Sequence, residues 1–217
     1  LISSAISSDM KKEFLSMNKL QIGCIVMAAG NATRFGENKL EIDFNGKSLI
    51  RRTMEAVPVS MAKTVIVVTQ YPEIMQLAEE FGFTAVENRR PDWGISHTIR
   101  LGLEHSETWD AALFMVSDQP MLQKDSVSDM LAFYIQHPEH IVGMSHNGVR
   151  GNPCVFPKSF FPELRQLHGD HGGNQVIRHH SQRLLCFEVP AIELADVDSK
   201  KALQDLNAEV QEKLSMY

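Results

Sequence analysis

Cysteine is scarce: Cys24, Cys154 and Cys186 are an odd number in 217 residues, lie far apart and form no C-x-x-C pair. That argues against a disulfide framework and against a thiolate zinc site, and reads as buried thiols in a reducing cytosol. Positive charge is short as well. Lys plus Arg number 21 against 27 Asp plus Glu, a formal net charge of −6, which is the wrong sign for gripping a nucleic acid, so any basic site must be local. No apolar run approaches the ~20 residues that span a bilayer, so no membrane partner is expected and the expected location is cytoplasmic. Internal repeats, low-complexity tracts and linkers are missing too. What remains is an ordinary globular composition, 43% hydrophobic and 22% charged. Residues 1–18 lack an initiating Met, and their two lysines follow the mildly apolar part instead of leading it. They make a poor secretory signal and are expected to be a leader or cloning remnant outside the fold, with residues 19–217 forming a single domain.

Apolar runs at 20–28, 64–69, 111–116, 141–145 and 184–189 read as buried strands, and 84–87 as a short edge strand. Helical spacing or helix-start signals mark 48–57, 72–81, 95–103, 125–137 and 200–213. Parallel neighbours need helical crossovers, so this alternation implies a three-layer αβα domain with a mostly parallel, mixed sheet.

Ligands of such sheets bind at the carboxyl ends of the strands. The first strand ends in Ala28-Ala29-Gly30, followed by Arg34, Gly36 and Lys39. Small residues leave backbone N–H groups uncovered for phosphate oxygens, and Arg34 and Lys39 supply countercharge. Two common phosphate loops are excluded by counting. Asn31 and Arg34 break a G-x-G-x-x-G, and Gly46-Lys47-Ser48 imitates a P-loop end whose first glycine would fall on Glu41. Asp118, in Ser117-Asp118-Gln119-Pro120, follows another buried strand and points a carboxylate at the same crevice, where one well-placed Asp suits Mg²⁺.

The order A-A-G-x-x-x-R-x-G-x-x-K, then Leu40 and Asn45-Gly46-Lys47-Ser48-Leu49-Ile50, resembles the nucleotidyltransferases of the molybdenum cofactor, most closely their cytidylyltransferase branch. The guanosine-using branch tends to have Ala-Gly-Gly in place of Ala28-Ala29-Gly30. The resemblance runs from Ile22 to about Leu206 and implies a Rossmann-like nucleotidyltransferase fold. It implies transfer of CMP from CTP to molybdenum-bearing molybdopterin, with release of pyrophosphate and delivery of the product to a recipient molybdoenzyme or its chaperone. Ala28, Ala29, Gly30, Arg34 and Lys39 would then wrap the triphosphate, and Arg34 and Lys39 would stabilise the leaving group. Asp118 would hold Mg²⁺. Thr98, and after it Ser96, would contact the base, although Ser96 can equally cap its helix. Arg150 and Asn152, in a Gly-x-Pro segment before an apolar strand, and Asp170, in a Gly-Asp-x-Gly turn, would lie on the pterin side, though both segments also suit bland turns. Asp196-Val197-Asp198-Ser199 resembles the family's closing Asp-x-Asp-Thr, with capping of the last helix the expected job of Asp198 and a second metal ligand the lesser reading. His168, His171, His179 and His180 lack metal-ligand spacing and read as solvated or turn histidines. The chain departs from the family at Met27, Ser117, Asn174-Gln175 and Ser199-Lys200-Lys201, and Asn174-Gln175 removes a cation from the acceptor side. Three alternatives remain: a guanylyltransferase of the same family, a nucleotidyltransferase for another small phosphate ester, and a non-catalytic carrier of the finished cofactor.

Overall fold

The computed structural model describes residues 20–30 and 38–215. The leading segment and Arg34 lie outside the described residues. β1 (Ile22–Ala28) is buried along nearly its whole length. β2 (Asp43–Phe44) and β3 (Lys47–Ser48) form a hairpin turning through Asn45 and Gly46, both at positive φ, so the P-loop mimic is a tight turn. α1 (Leu49–Glu55) starts at Ser48, whose hydroxyl accepts the Arg51 N–H at 3.4 Å. β4 (Ala62–Thr69), α2 (Pro72–Glu80), β5 (Thr84–Glu87), α3 (Ile95–Leu103), β6 (Ala111–Val116), α4 (Lys124–Gln136) and β7 (Ile141–His146) follow, each within two residues of its expected bounds. β8 (Val149–Pro157), α5 (Phe161–Arg165), α6 (Gly173–His179), β9 (Leu184–Glu188) and α7 (Lys200–Ser215) complete the described elements.

The main sheet has seven strands in the order β5-β4-β1-β6-β8-β7-β9. Every pairing is parallel except the two made by β8. β8 runs backwards because Asn147 and Gly148, both at positive φ, fold it directly onto β7 as a hairpin. Glu188 clamps that turn, accepting the Ser145 hydroxyl at 2.6 Å and the Asn147 N–H at 2.8 Å. The Gly151-Asn152-Pro153 segment, which suited a turn ahead of the strand, lies inside β8. There the register passes from Gly143↔Cys154 to Ser145↔Arg150, so extra β8 residues bulge where Pro153 has no N–H to give the ladder.

Strand side chains alternate between two cores. Ile22, Cys24, Val26 and Ala28 of β1 face one, with Ile50, Met54, Ile74, Ala78, Val127 and Met130 from α1, α2 and α4. Ile25 faces the other, with Ile99, Leu103, Leu164, Val176 and Ile177 from α3, α5 and α6. The result is the three-layer, mostly parallel arrangement that the alternation implies. Cys24 and Cys154 are buried as expected, whereas Cys186 is exposed, because β9 forms the sheet edge. No described helix is long and apolar enough to cross a membrane.

Candidate active site

The carboxyl ends of β1 and β6 and the start of α3 enclose a cleft of about 410 Å³, lined among others by Ala29, Gly30, Lys39, Thr98, Asp118 and Asp170. The turn after β1 is tied down by the end of β4. The Thr69 hydroxyl donates to Ala28 O at 2.9 Å, Gln70 Nε2 to Ala29 O at 3.0 Å, and the Tyr71 hydroxyl to Gly30 O at 3.0 Å. Three successive carbonyls are thus held by three successive side chains, which fixes this backbone in place. Sequence reading missed these three donors, whose one signal is a Thr-Gln-Tyr run at the end of a buried strand. Ala28 itself is buried and does not line the cleft.

Lys39 opens a single 3₁₀ turn (Lys39–Glu41) that is capped by Asn38 and anchored by buried Leu40. Its ammonium lies 3.0 Å from Asp118 Oδ2, 3.1 Å from Asp198 Oδ1 and 3.5 Å from Val197 O. Val197, buried against Phe44, Leu49 and Leu206, donates its N–H to Asp118 O at 2.8 Å and so docks the chain's last segment on the end of β6. Burial pulls the Lys39 pKa down, but the charge of Asp118 and the hydrogen bonds to Asp118 and Asp198 outweigh it and hold the pKa above its ordinary value. Asp196 is exposed as a whole residue, yet its carboxyl is pushed up to about 6. Partial burial of the carboxyl comes first and the charge of Asp118 next, partly opposed by a hydrogen bond from Gln119. The expected capping role of Asp198 is not observed. Ser199 caps α7, its hydroxyl accepting the Ala202 N–H at 3.1 Å, while Asp198 is engaged by Lys39.

Ser96 neither lines the cleft nor caps α3. The cap position is Gly94, and Ser96 is fully buried, its hydroxyl donating to Trp93 O at 3.4 Å and its N–H to Gly169 O at 3.1 Å. Thr98 does line the cleft. Its hydroxyl accepts from Asn88 Nδ2 at 3.2 Å, which leaves the hydroxyl proton for a ligand.

A family model for the MobA-like NTP transferase domain matches residues 24–184. The chain belongs to this family. It is 23% identical over 165 residues to the purine catabolism protein PucB of Bacillus subtilis, covering 71% of this chain and 79% of that protein. It is 28% identical over 154 residues to a molybdenum cofactor guanylyltransferase of Shewanella sp. (strain ANA-3), covering 68% and 72%. A solved nucleotidyl transferase from Methanothermobacter thermautotroptrophicus superposes with a TM-score of 0.74 at 19% identity, over 89% of this chain and 99% of that one.

In this MobA-like transferase a smaller cavity of about 90 Å³ adjoins the cleft and shares Met27, Ile95 and Val116 with it. Arg150 and Asn152 line this second space, apart from Asp170 in the main cleft. The Arg150 guanidinium donates to Gly151 O and to Cys154 Sγ, both at 3.3 Å, and to Asn174 Oδ1. Among the described residues no carboxylate pairs with it. Asn174, read from sequence as the loss of a cation, therefore orients one. His179 and His180 are not simply solvated, since both contact Glu163, at 3.0 and 2.7 Å. Among the described residues no group of three or more His, Cys, Asp or Glu is arranged to hold a metal ion by itself.

Proposed function

We propose that this MobA-like transferase moves CMP from CTP onto the phosphate of molybdenum-bearing molybdopterin, giving the cytosine dinucleotide and pyrophosphate, with Mg²⁺ held at Asp118 and Asp198. The observation that carries the reading is the meeting of Lys39 with Asp118 in the cleft beside the Ala29-Gly30 turn. A cation for phosphate and a carboxylate for metal at one point are what phosphoryl-group chemistry requires. A mere carrier has no use for the pair.

The two carboxylates suit a hard divalent ion. Asp118 and Asp198 already converge on a positive charge, and with no third side-chain ligand beside them, phosphate oxygens and water would complete the shell, as Mg²⁺ prefers. When bound, the ion supplies charge neutralisation at the phosphates. In the reaction, an acceptor phosphate oxygen forms a bond to the α-phosphorus of CTP while the bond from that phosphorus to the bridging oxygen breaks. Pyrophosphate leaves with the electron pair. The nucleophile is already ionised, so no general base is needed and positioning plus countercharge do the work. Lys39, together with Arg34, would stabilise the departing pyrophosphate, while Thr98 would face the nucleoside.

CTP is favoured by Ala29, buried at 4% exposure and lining the cleft, because its methyl group narrows the space a purine needs. A second reading, guanylyl transfer from GTP, is supported by the similarity to the Shewanella guanylyltransferase. Rates of pyrophosphate release from CTP and from GTP, each with molybdenum-bearing molybdopterin, separate the two. Equal or faster turnover of GTP would move the assignment to the guanylyl reaction.

A further inference from the structure

The Lys39 ammonium stands where a cation is needed. At 3.0 and 3.1 Å from Asp118 and Asp198, it already neutralises both carboxylates assigned above to the metal. It is also well housed: its side chain is only 20% exposed, and Val197 O adds a third acceptor. The two carboxylates come from distant parts of the chain, Asp118 from just beyond β6 and Asp198 from the segment whose Val197 N–H is bonded to Asp118 O. Among the described residues no other Lys, Arg or His contacts either of them.

The same ammonium is wanted on the triphosphate during transfer, and it cannot sit against two carboxylates and on a leaving pyrophosphate at once. A divalent ion bound to both carboxylates would in turn lie within a few ångströms of the ammonium, and like charges at that distance repel strongly in a partly buried site. A flexible four-carbon stem lets the ammonium move between two partners.

We propose that Lys39 is an internal counter-ion that closes the Asp118–Asp198 cation site while the nucleotide is absent and opens it when triphosphate draws the ammonium away, so that divalent cation and nucleotide bind cooperatively. This rests on the assignment of those carboxylates to the metal. The coupling is reciprocal by linkage: whatever nucleotide does for cation affinity, the cation does for nucleotide affinity. The empty protein should therefore hold divalent ions poorly although Asp118 and Asp198 converge on one point.

The test is Mn²⁺ binding to the nucleotide-free protein, read from the electron paramagnetic resonance signal of free Mn²⁺. Lys39→Met should bind Mn²⁺ about tenfold or more tightly than wild type, within the usual span of coupling between sites. Lys39→Gln, which keeps hydrogen-bond donors for the carboxylates, should do the same if Lys39→Met folds poorly. Adding Asp118→Asn to either should abolish the gain, and Mn²⁺ should raise the melting temperature of the Lys39 variants more than that of wild type. Unchanged or weaker Mn²⁺ binding in both Lys39 variants overturns the proposal, as does a gain that survives Asp118→Asn. Failure is distinguishable from that of the transfer reaction. Normal pyrophosphate release by wild type with unchanged Mn²⁺ affinity in the Lys39 variants sinks the counter-ion role alone, whereas tighter Mn²⁺ binding in those variants without any pyrophosphate release by wild type supports that role and refutes the transfer.

Discussion

Gly94 joins two walls of the cleft, and replacing it with alanine separates a steric cost from a conformational one. Its φ of 77° and ψ of −175° lie in a region essentially restricted to glycine. A Cβ there would also fall 2.4 Å from both the carbonyl carbon and oxygen of Gly169, and 2.6 Å from Asp170 Oδ1. Gly82 is the control. Its φ is also positive, at 73°, but a Cβ would meet nothing within 4 Å. Gly82→Ala should cost only backbone strain, about 1–2 kcal/mol. Gly94→Ala adds displacement of the Gly169 backbone, about 1–3 kcal/mol by analogy with overpacking, and weakening of the Ser96 N–H bond to Gly169 O, about 1 kcal/mol. The total is about 3–6 kcal/mol. For a chain of this size 1 kcal/mol moves the melting temperature by roughly 2–4 °C, so thermal unfolding should show drops of about 2–8 °C for Gly82→Ala and about 6–24 °C for Gly94→Ala. Only Gly94→Ala should also weaken nucleotide binding below its melting point, because Gly94 and Asp170 line the cleft. Equal melting shifts in the two variants, with nucleotide binding intact in both, would refute the claim that this close approach shapes the site.

Asp118→Asn keeps shape and removes charge, so turnover should fall on the order of 10²-fold or more with little change in melting temperature; recovery of full turnover at low temperature would show a purely structural residue. Glu193, buried and accepting the Gln123 N–H at 3.0 Å and the Ser126 hydroxyl at 2.9 Å, caps α4, and Glu193→Ala should cost about 1–3 kcal/mol in urea unfolding. A change within a few tenths of a kcal/mol would mean the cap contributes nothing. The raised pKa of Asp196, from 3.8 to about 6, means that between those values the folded protein keeps a proton the unfolded chain has released. That group's contribution to stability is therefore present below pH 4 and lost as pH rises through about 6. Relative to wild type, Asp196→Asn should gain stability at pH 7 over pH 4.5, and an identical difference at both pH values would contradict this.

Much of the architecture was legible because buried parallel strands are continuous apolar runs and the helices between them carry their own period. β8 was recognisable only as an apolar strand after a Gly-x-Pro segment, since its bulge places turn-forming residues inside the ladder. α5 and α6, at five and seven residues, are too short to show a period. Lys39 and Asp118 could be found because each sits at a fixed offset from a strand end. Their union could not, because it depends on Val197 and Asp198 returning from 158 and 159 residues beyond Lys39. The Thr69, Gln70 and Tyr71 ties arise from the pairing of β1 with β4, which no local pattern encodes. At α3 the sequence rule allowed a serine cap as the alternative to base contact. The left-handed Gly94 takes that position instead, and Ser96 is turned inward against Trp93 and the Gly169 turn.

The cleft at Asp118 and Lys39 is assigned nucleotidyl rather than phosphoryl transfer. The direct measurement follows label from CTP carrying radiophosphorus at the α or at the γ position, with molybdenum-bearing molybdopterin as acceptor and Mg²⁺ present. The α label should appear in the pterin product and the γ label in pyrophosphate, in equal amounts, with both signals lost in Asp118→Asn. Transfer of γ label to the acceptor, or release of γ label as orthophosphate with no α label on the pterin, would contradict the account.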